Sequence, residues 1–147
     1  MNDQSAPDEA FALHPKLAAD CLVLGDLPVS RILLMNDQRF PWCILVPRLA
    51  GLRELHDLPC TARLALFEEI EVVSQALLAR CNASKINVGA LGNLVPQLHV
   101  HVVGRSNADP AWPRPVWGFG EALPYPPPAG RERVALLRAA IQPALAP

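Results

Sequence analysis

Gly92-Asn93-Leu94-Val95-Pro96-Gln97-Leu98-His99-Val100-His101-Val102-Val103-Gly104-Arg105 is the stretch on which the fold turns. From Gln97 to Val103 polar and apolar residues alternate, the period of a β-strand with one face buried. That alternation sends Gln97, His99 and His101 to one face and Leu98, Val100 and Val102 to the other. Neighbours on the polar face stand about 6.5–7 Å apart along the strand, so one phosphate or one metal ion could touch two of them. The wet face of an antiparallel sheet accounts for a His-x-His pair equally well, and the surrounding sequence has to decide.

Working outward, Cys21-Leu22-Val23-Leu24 and Arg31-Ile32-Leu33-Leu34-Met35 read as strands. Asn36-Asp37-Gln38-Arg39-Phe40-Pro41 then turns the chain into Trp42-Cys43-Ile44-Leu45-Val46-Pro47, a hairpin connection. Thr61 is placed to N-cap a long helix ending near Arg80. Steps of three and four give it an apolar stripe of Phe67, Ile70, Val73, Leu77 and Cys81, with Glu68, Glu69 and Glu71 on the other side. Lys85 to Leu91 reads as a further strand, followed by a turn at Gly92-Asn93. Leu13 to Asp20 predicts a short helix with Pro15 in its first turn, and Arg131 to Ile141 another. His14 and His56 lack partners at ligand spacing and read as surface histidines.

Seven of the sixteen prolines fall between Pro110 and Pro128, among Trp112, Trp117, Phe119 and Tyr125. Proline lacks the backbone donor and fixes its own torsion, so this segment is neither a regular helix nor a central strand. It predicts an extended tail laid over the domain with its aromatic residues as anchors. The order strands, helix, strands predicts an α+β domain: an antiparallel sheet of about five strands with the Thr61–Arg80 helix across one face. No internal repeat is visible.

With 147 residues, the chain suits one compact domain. Hydrophobic residues at 51% and charged ones at 18% supply a real core. Thirteen basic against fourteen acidic side chains leave a formal charge of −1, which argues against a nucleic-acid polymer as partner. The lead Met1-Asn2-Asp3-Gln4-Ser5-Ala6-Pro7-Asp8-Glu9 is polar and acidic, unlike a secretory signal, and no run predicts a membrane span. Cys21, Cys43, Cys60 and Cys81 are too dispersed for a disulfide framework or zinc knuckle. They are expected to be buried thiols in a reducing cytoplasm.

The triad-like strand resembles the signature of the histidine triad (HIT) superfamily, His-φ-His-φ-His-φ-φ, where φ is apolar. The upstream hairpin ending Ile44-Leu45-Val46-Pro47-Arg48 and the long helix between the two segments match the same pattern, which covers roughly residues 11–105. The Asp109-Pro110-Ala111-Trp112-Pro113 tail also resembles that of some bacterial members. The domain plan this implies is a flexible N-terminus over 1–10, a HIT-like domain over 11–105, and a Pro/Trp-rich tail with a short helix over 106–147 packed on it.

The resemblance implies a nucleotide hydrolase or transferase that cleaves at the α-phosphate of a nucleoside phosphoramidate or dinucleoside polyphosphate. His99 maps onto the nucleophile that would form a nucleotidyl-histidine, and an imidazole ordinarily titrates near 6.5. His101 would bind phosphate oxygens, with Asn93 and nearby N–H groups as further donors. Gln97 stands where the first histidine is expected and cannot carry a proton in this range. Asn36 or Asp37 would grip the ribose after a register shift, since the ungapped position is Leu34, and Asn87 and Arg105 complete the expected substrate-binding set. Neither a cofactor nor a metal ligand set is expected, and the partners implied are a nucleotide-type small molecule and a second copy of the chain. Two alternatives stay open: a nucleotide- or partner-binding protein with impaired catalysis, and a metal protein using His99 and His101.

Overall fold

The computed structural model describes residues 10–147, so all but the last residue of the expected flexible N-terminus lies outside the described residues. A short helix α1 (Pro15–Asp20) leads into β1 (Cys21–Asp26), β2 (Ser30–Met35) and β3 (Trp42–Pro47). Helix α2 (Cys60–Arg80) follows, then β4 (Lys85–Gly89), β5 (Val100–Arg105) and α3 (Pro127–Ile141). The five strands form one antiparallel sheet in the order β1-β2-β3-β5-β4.

Strand alternation splits the core into two layers. Cys43, Leu45, Val100 and Val102 face α2 and α3, where Leu66, Val73, Leu77, Leu137 and Ile141 close the first layer. Trp42, Ile44, Val46 and Val103 face the other way, against Leu17 of α1, Val95, and Ala111 and Val116 of the tail. His101 lies between Val100 and Val102 and therefore belongs to this second face, which α1 and the tail cover.

Several expected boundaries move for identifiable reasons. Helix α1 begins at Pro15, because His14 Nδ1 accepts the Lys16 N–H at 3.1 Å and caps the turn. Helix α2 begins at Cys60 with Pro59 as N-cap, so Thr61 is not the cap; the extended torsion of Pro59 feeds the chain directly into the first turn. The inward stripe of α2 is Leu66, Glu69, Val73, Ala76 and Leu77, and Phe67 is 73% exposed. Glu69 turns inward because its carboxylate accepts the Val29 N–H at 2.6 Å and the Ser30 N–H at 3.3 Å, satisfying donors at the β1–β2 turn.

The strand expected from Gln97 starts only at Val100, where pairing with β3 begins, and β4 joins from His101. Helix α3 starts four residues before Arg131, since prolines are tolerated in a first turn. Among the described residues no helix is long and apolar enough to cross a membrane, and all four cysteines are free.

Candidate active site

His99 and His101 meet in a pocket of about 420 Å³ on the tail-covered face, with ring centroids 5.0 Å apart. His99 Nδ1 lies 2.6 Å from the Gln97 carbonyl oxygen. A carbonyl can only accept, so Nδ1 carries the proton and Nε2 keeps its lone pair for the pocket. The last residues before β5 are what build this contact: Gln97 and His99 are not yet paired in the sheet, and their backbone is free to curl the carbonyl onto the ring.

His101 has the complementary tautomer. Trp42 Nε1–H donates to His101 Nδ1 at 2.9 Å, and an indole nitrogen can only donate, so the His101 proton sits on Nε2. Ile44 pairs with His101 across the sheet, which makes Trp42 the diagonal neighbour on the same face. Trp117 from the tail meets His101 edge-on at 5.6 Å and Trp42 at 6.1 Å. Gly89, opposite His101 on β4, leaves room for that indole; a Cβ there would stand 3.1 Å from the Trp117 ring. Burial, aided by neighbouring His99, pushes the His101 pKa down to about 4. The two rings are thus held by opposite contacts, His99 with its proton on Nδ1 and His101 with its proton on Nε2.

Of the residues singled out from sequence, the pocket gathers His99, His101 and Asn93. Gln97 Nε2 donates to Ala12 O and its Oε1 accepts from His14 N, both at 2.9 Å, so the amide ties down the segment before α1. Arg105 is held elsewhere in the fold. It is 2% exposed, clamps Asp109 through two bonds of 2.7 and 3.1 Å, and donates to Asn87 Oδ1 and to Arg114 O. Asn87 and Arg105 therefore anchor the tail and do not face the pocket.

Asp37 is engaged by Arg39 and by the Leu123 N–H. Burial would raise its pKa, but those donors prevail and hold it below the ordinary carboxylate range. Asn36 accepts from Tyr125 N, so neither expected ribose residue lines the pocket. The pocket instead draws on Trp42, Trp117, Lys16 and Asp20, which the sequence argument missed. Trp42 was detectable, because positions 42, 44 and 46 of the hairpin strand share one face; the placement of Trp117 depends on the tail path. Among the described residues no three His, Cys, Asp or Glu side chains are grouped to hold a metal ion. Both Nδ1 atoms of the pair are already committed.

Two consequences are measurable. Trp42→Phe removes the N–H that fixes His101 and shrinks a buried ring, so it should cost about 1–3 kcal/mol of stability and, where the pair turns over a nucleotide, lower kcat by roughly 10–100-fold. Unchanged kcat would mean that the tautomer of His101 is immaterial. Second, an unfolded His101 binds a proton below about 6.5, whereas the folded one resists protonation until about pH 4. Stability is therefore lost as pH falls through that window, by up to about 3 kcal/mol. Urea denaturation of wild type and His101→Gln at stepped pH should show the flatter profile in the variant, with parallel profiles counting against the assignment.

A HIT domain profile matches residues 16–108. A histidine triad protein from Marinobacter aquaeolei is 41% identical, with a TM-score of 0.89 over 92% of this chain and 98% of that one. One from Bradyrhizobium japonicum is 42% identical, with a TM-score of 0.87 over 90% and 98%. A third, from Sinorhizobium meliloti, is 43% identical, with a TM-score of 0.86 over 88% and 96%. No curated protein matches. The domain match, these three structures and the paired histidines at the end of a five-stranded antiparallel sheet agree: this chain belongs to the histidine triad family, with Gln97 in place of the first histidine.

Proposed function

We propose that the protein is a nucleotide hydrolase or transferase that cleaves at the α-phosphate of a nucleotide conjugate. The observation that carries this is the His99 Nδ1–H bond to the Gln97 carbonyl, which leaves Nε2 as a nucleophile oriented by the backbone. Nε2 attacks phosphorus as the bond to the leaving group breaks, and the leaving group takes the bonding electrons and a proton from water. The nucleotidylated ring keeps its Nδ1 proton on the Gln97 carbonyl, and the positive charge it gains is stabilised there. Water, or another acceptor hydroxyl, then attacks phosphorus, breaks the P–Nε2 bond and gives up its proton to solvent, which returns the ring to its starting tautomer. His101 Nε2–H and the loop around Asn93 donate to the phosphate oxygens as negative charge develops. In this scheme Gln97 is a positioning residue, acting through its carbonyl.

Among the described residues Lys16 is the single cation lining the pocket, and it is paired with Asp20 at 2.8 Å. The remaining walls are largely apolar, including Leu17, Met35, Leu91 and Leu94. That supports a substrate with one anionic phosphate, a nucleoside phosphoramidate, over a dinucleoside polyphosphate. Chelator-treated protein should release mononucleotide from adenosine phosphoramidate at least tenfold faster than from a dinucleoside polyphosphate. No release from either, with ligand raising Tm, would replace this reading with a binding module.

A two-fold homodimer in the cytoplasm fits the same reading. Leu64, Phe67 and Leu78 form an exposed stripe on α2, and β4 is an unpaired sheet edge beside exposed Val88. Sedimentation as a monomer at micromolar concentration would contradict the dimer.

A further inference from the structure

A second cleft, of about 710 Å³, lies at the β1 edge of the sheet, away from the histidine pair. Leu22 and Val23 both line it. Successive strand residues point to opposite faces, so a cleft touching both runs along the strand's edge and not over either face. Among the described residues β1 pairs with β2 alone. The far half of that edge is closed: the register shifts between Val23 and Gly25, Ala146 N–H donates to Asp26 O at 2.7 Å, and Leu145 lies against Gly25. The near half, Cys21 to Val23, carries neither charge nor proline ahead of the bulge at Leu24, and Val23 is 52% exposed.

The other wall is one stripe of α3. Arg131, Val134, Ala135 and Arg138 line the cleft, two guanidinium groups bracketing a small apolar floor. Neither arginine has a carboxylate partner among the described residues. Their α-carbons are about 10.5 Å apart along the helix. An extended chain presents same-side residues about 6.7 and 13 Å apart, and long arginine side chains span either distance.

We propose that this cleft takes an extended acidic peptide segment of a partner protein, which adds as a strand to the Cys21–Val23 edge. Its apolar side chains rest on Leu22, Val134 and Ala135, and its carboxylates meet Arg131 and Arg138. The open edge supplies main-chain hydrogen bonds and the arginines select the charge. A small anion alone would use the arginines and leave the edge without a role. The proposal is independent of the reaction assigned to the histidine pocket.

The test uses the full chain and a labelled seven-residue peptide, Thr-Glu-Thr-Val-Thr-Glu-Thr, whose valine and two glutamates share the face turned to α3. Saturable binding is expected, weakened roughly tenfold or more by the R131A/R138A double variant and by raising salt from about 0.05 to about 0.5 M. Amide exchange over Cys21–Val23 should slow on binding, and nucleotide turnover by the double variant should stay at the wild-type rate. The same peptide with lysine for both glutamates, and one with prolines on either side of the valine, should bind far more weakly. The proposal is overturned by no binding at millimolar peptide, by equal binding of the lysine peptide, or by binding that leaves Cys21–Val23 exchange unchanged. Equal binding of the proline peptide would likewise reduce the site to a carboxylate patch.

Discussion

His99→Ala should lower turnover of a nucleoside phosphoramidate by roughly 10³-fold or more, the scale on which loss of a covalent nucleophile is felt. The substitution removes the atom that would bond to phosphorus and leaves the rest of the pocket standing. His101 keeps its bond from Trp42, and Trp117 keeps its edge contact with His101. Nucleotide binding should therefore survive within a fewfold. A large drop in kcat with little change in the nucleotide Kd separates a lost nucleophile from a collapsed site. A variant losing less than tenfold would mean that another atom attacks phosphorus. The measurement is a steady-state assay beside a titration with the product mononucleotide.

Asp109→Ala should be the most damaging single change to the fold, by about 3–5 kcal/mol in denaturant unfolding. Arg105 is 2% exposed, and Asp109 is the carboxylate that pairs with it. Burial would raise the pKa of Asp109, but the Arg105 guanidinium and two backbone N–H groups hold it below the ordinary carboxylate range. Removing that carboxylate leaves a buried cation with Asn87, a carbonyl and the faces of Phe40 and Trp112, and no opposite charge among them. Because Arg105 also holds Arg114 O, the tail that brings Trp117 to the pocket should loosen, seen as a change in tryptophan fluorescence. Asp109→Asn keeps acceptors but not charge and should fall between the two. Destabilisation below about 1 kcal/mol would show that Arg105 finds solvent or another partner.

What was legible in the sequence was short-range. The two strands of the β2–β3 hairpin, the long helix and the polar face carrying His99 and His101 follow from periodicity, and the structure has them. What was not legible is set by partners far along the chain. Phe67 looked like core because helix spacing cannot show that Glu69 is needed inside, forty residues from the Val29 N–H it satisfies. Gln97 looked like a pocket residue because its alternation cannot show the Ala12–His14 segment that occupies its amide.

Arg105 shows a different failure. A strand-end arginine is ordinarily solvated, yet Asp109 stands four residues on and the tail folds back over both. The ribose residues went astray because Asn36 and Asp37 are used to bind the Leu123–Tyr125 part of the tail, whose path a proline-rich sequence does not reveal.

The most direct test is to trap the intermediate. Enzyme mixed with excess nucleoside phosphoramidate is quenched in alkali, where a phosphorus–nitrogen bond to histidine survives, then digested and mapped by mass spectrometry. The account predicts one nucleotidyl group on the peptide containing His99, at Nε2, formed and lost at rates compatible with turnover and absent from His99→Ala. A nucleotidyl group on His101 or another residue, or turnover by direct attack of water with no such adduct, would contradict it.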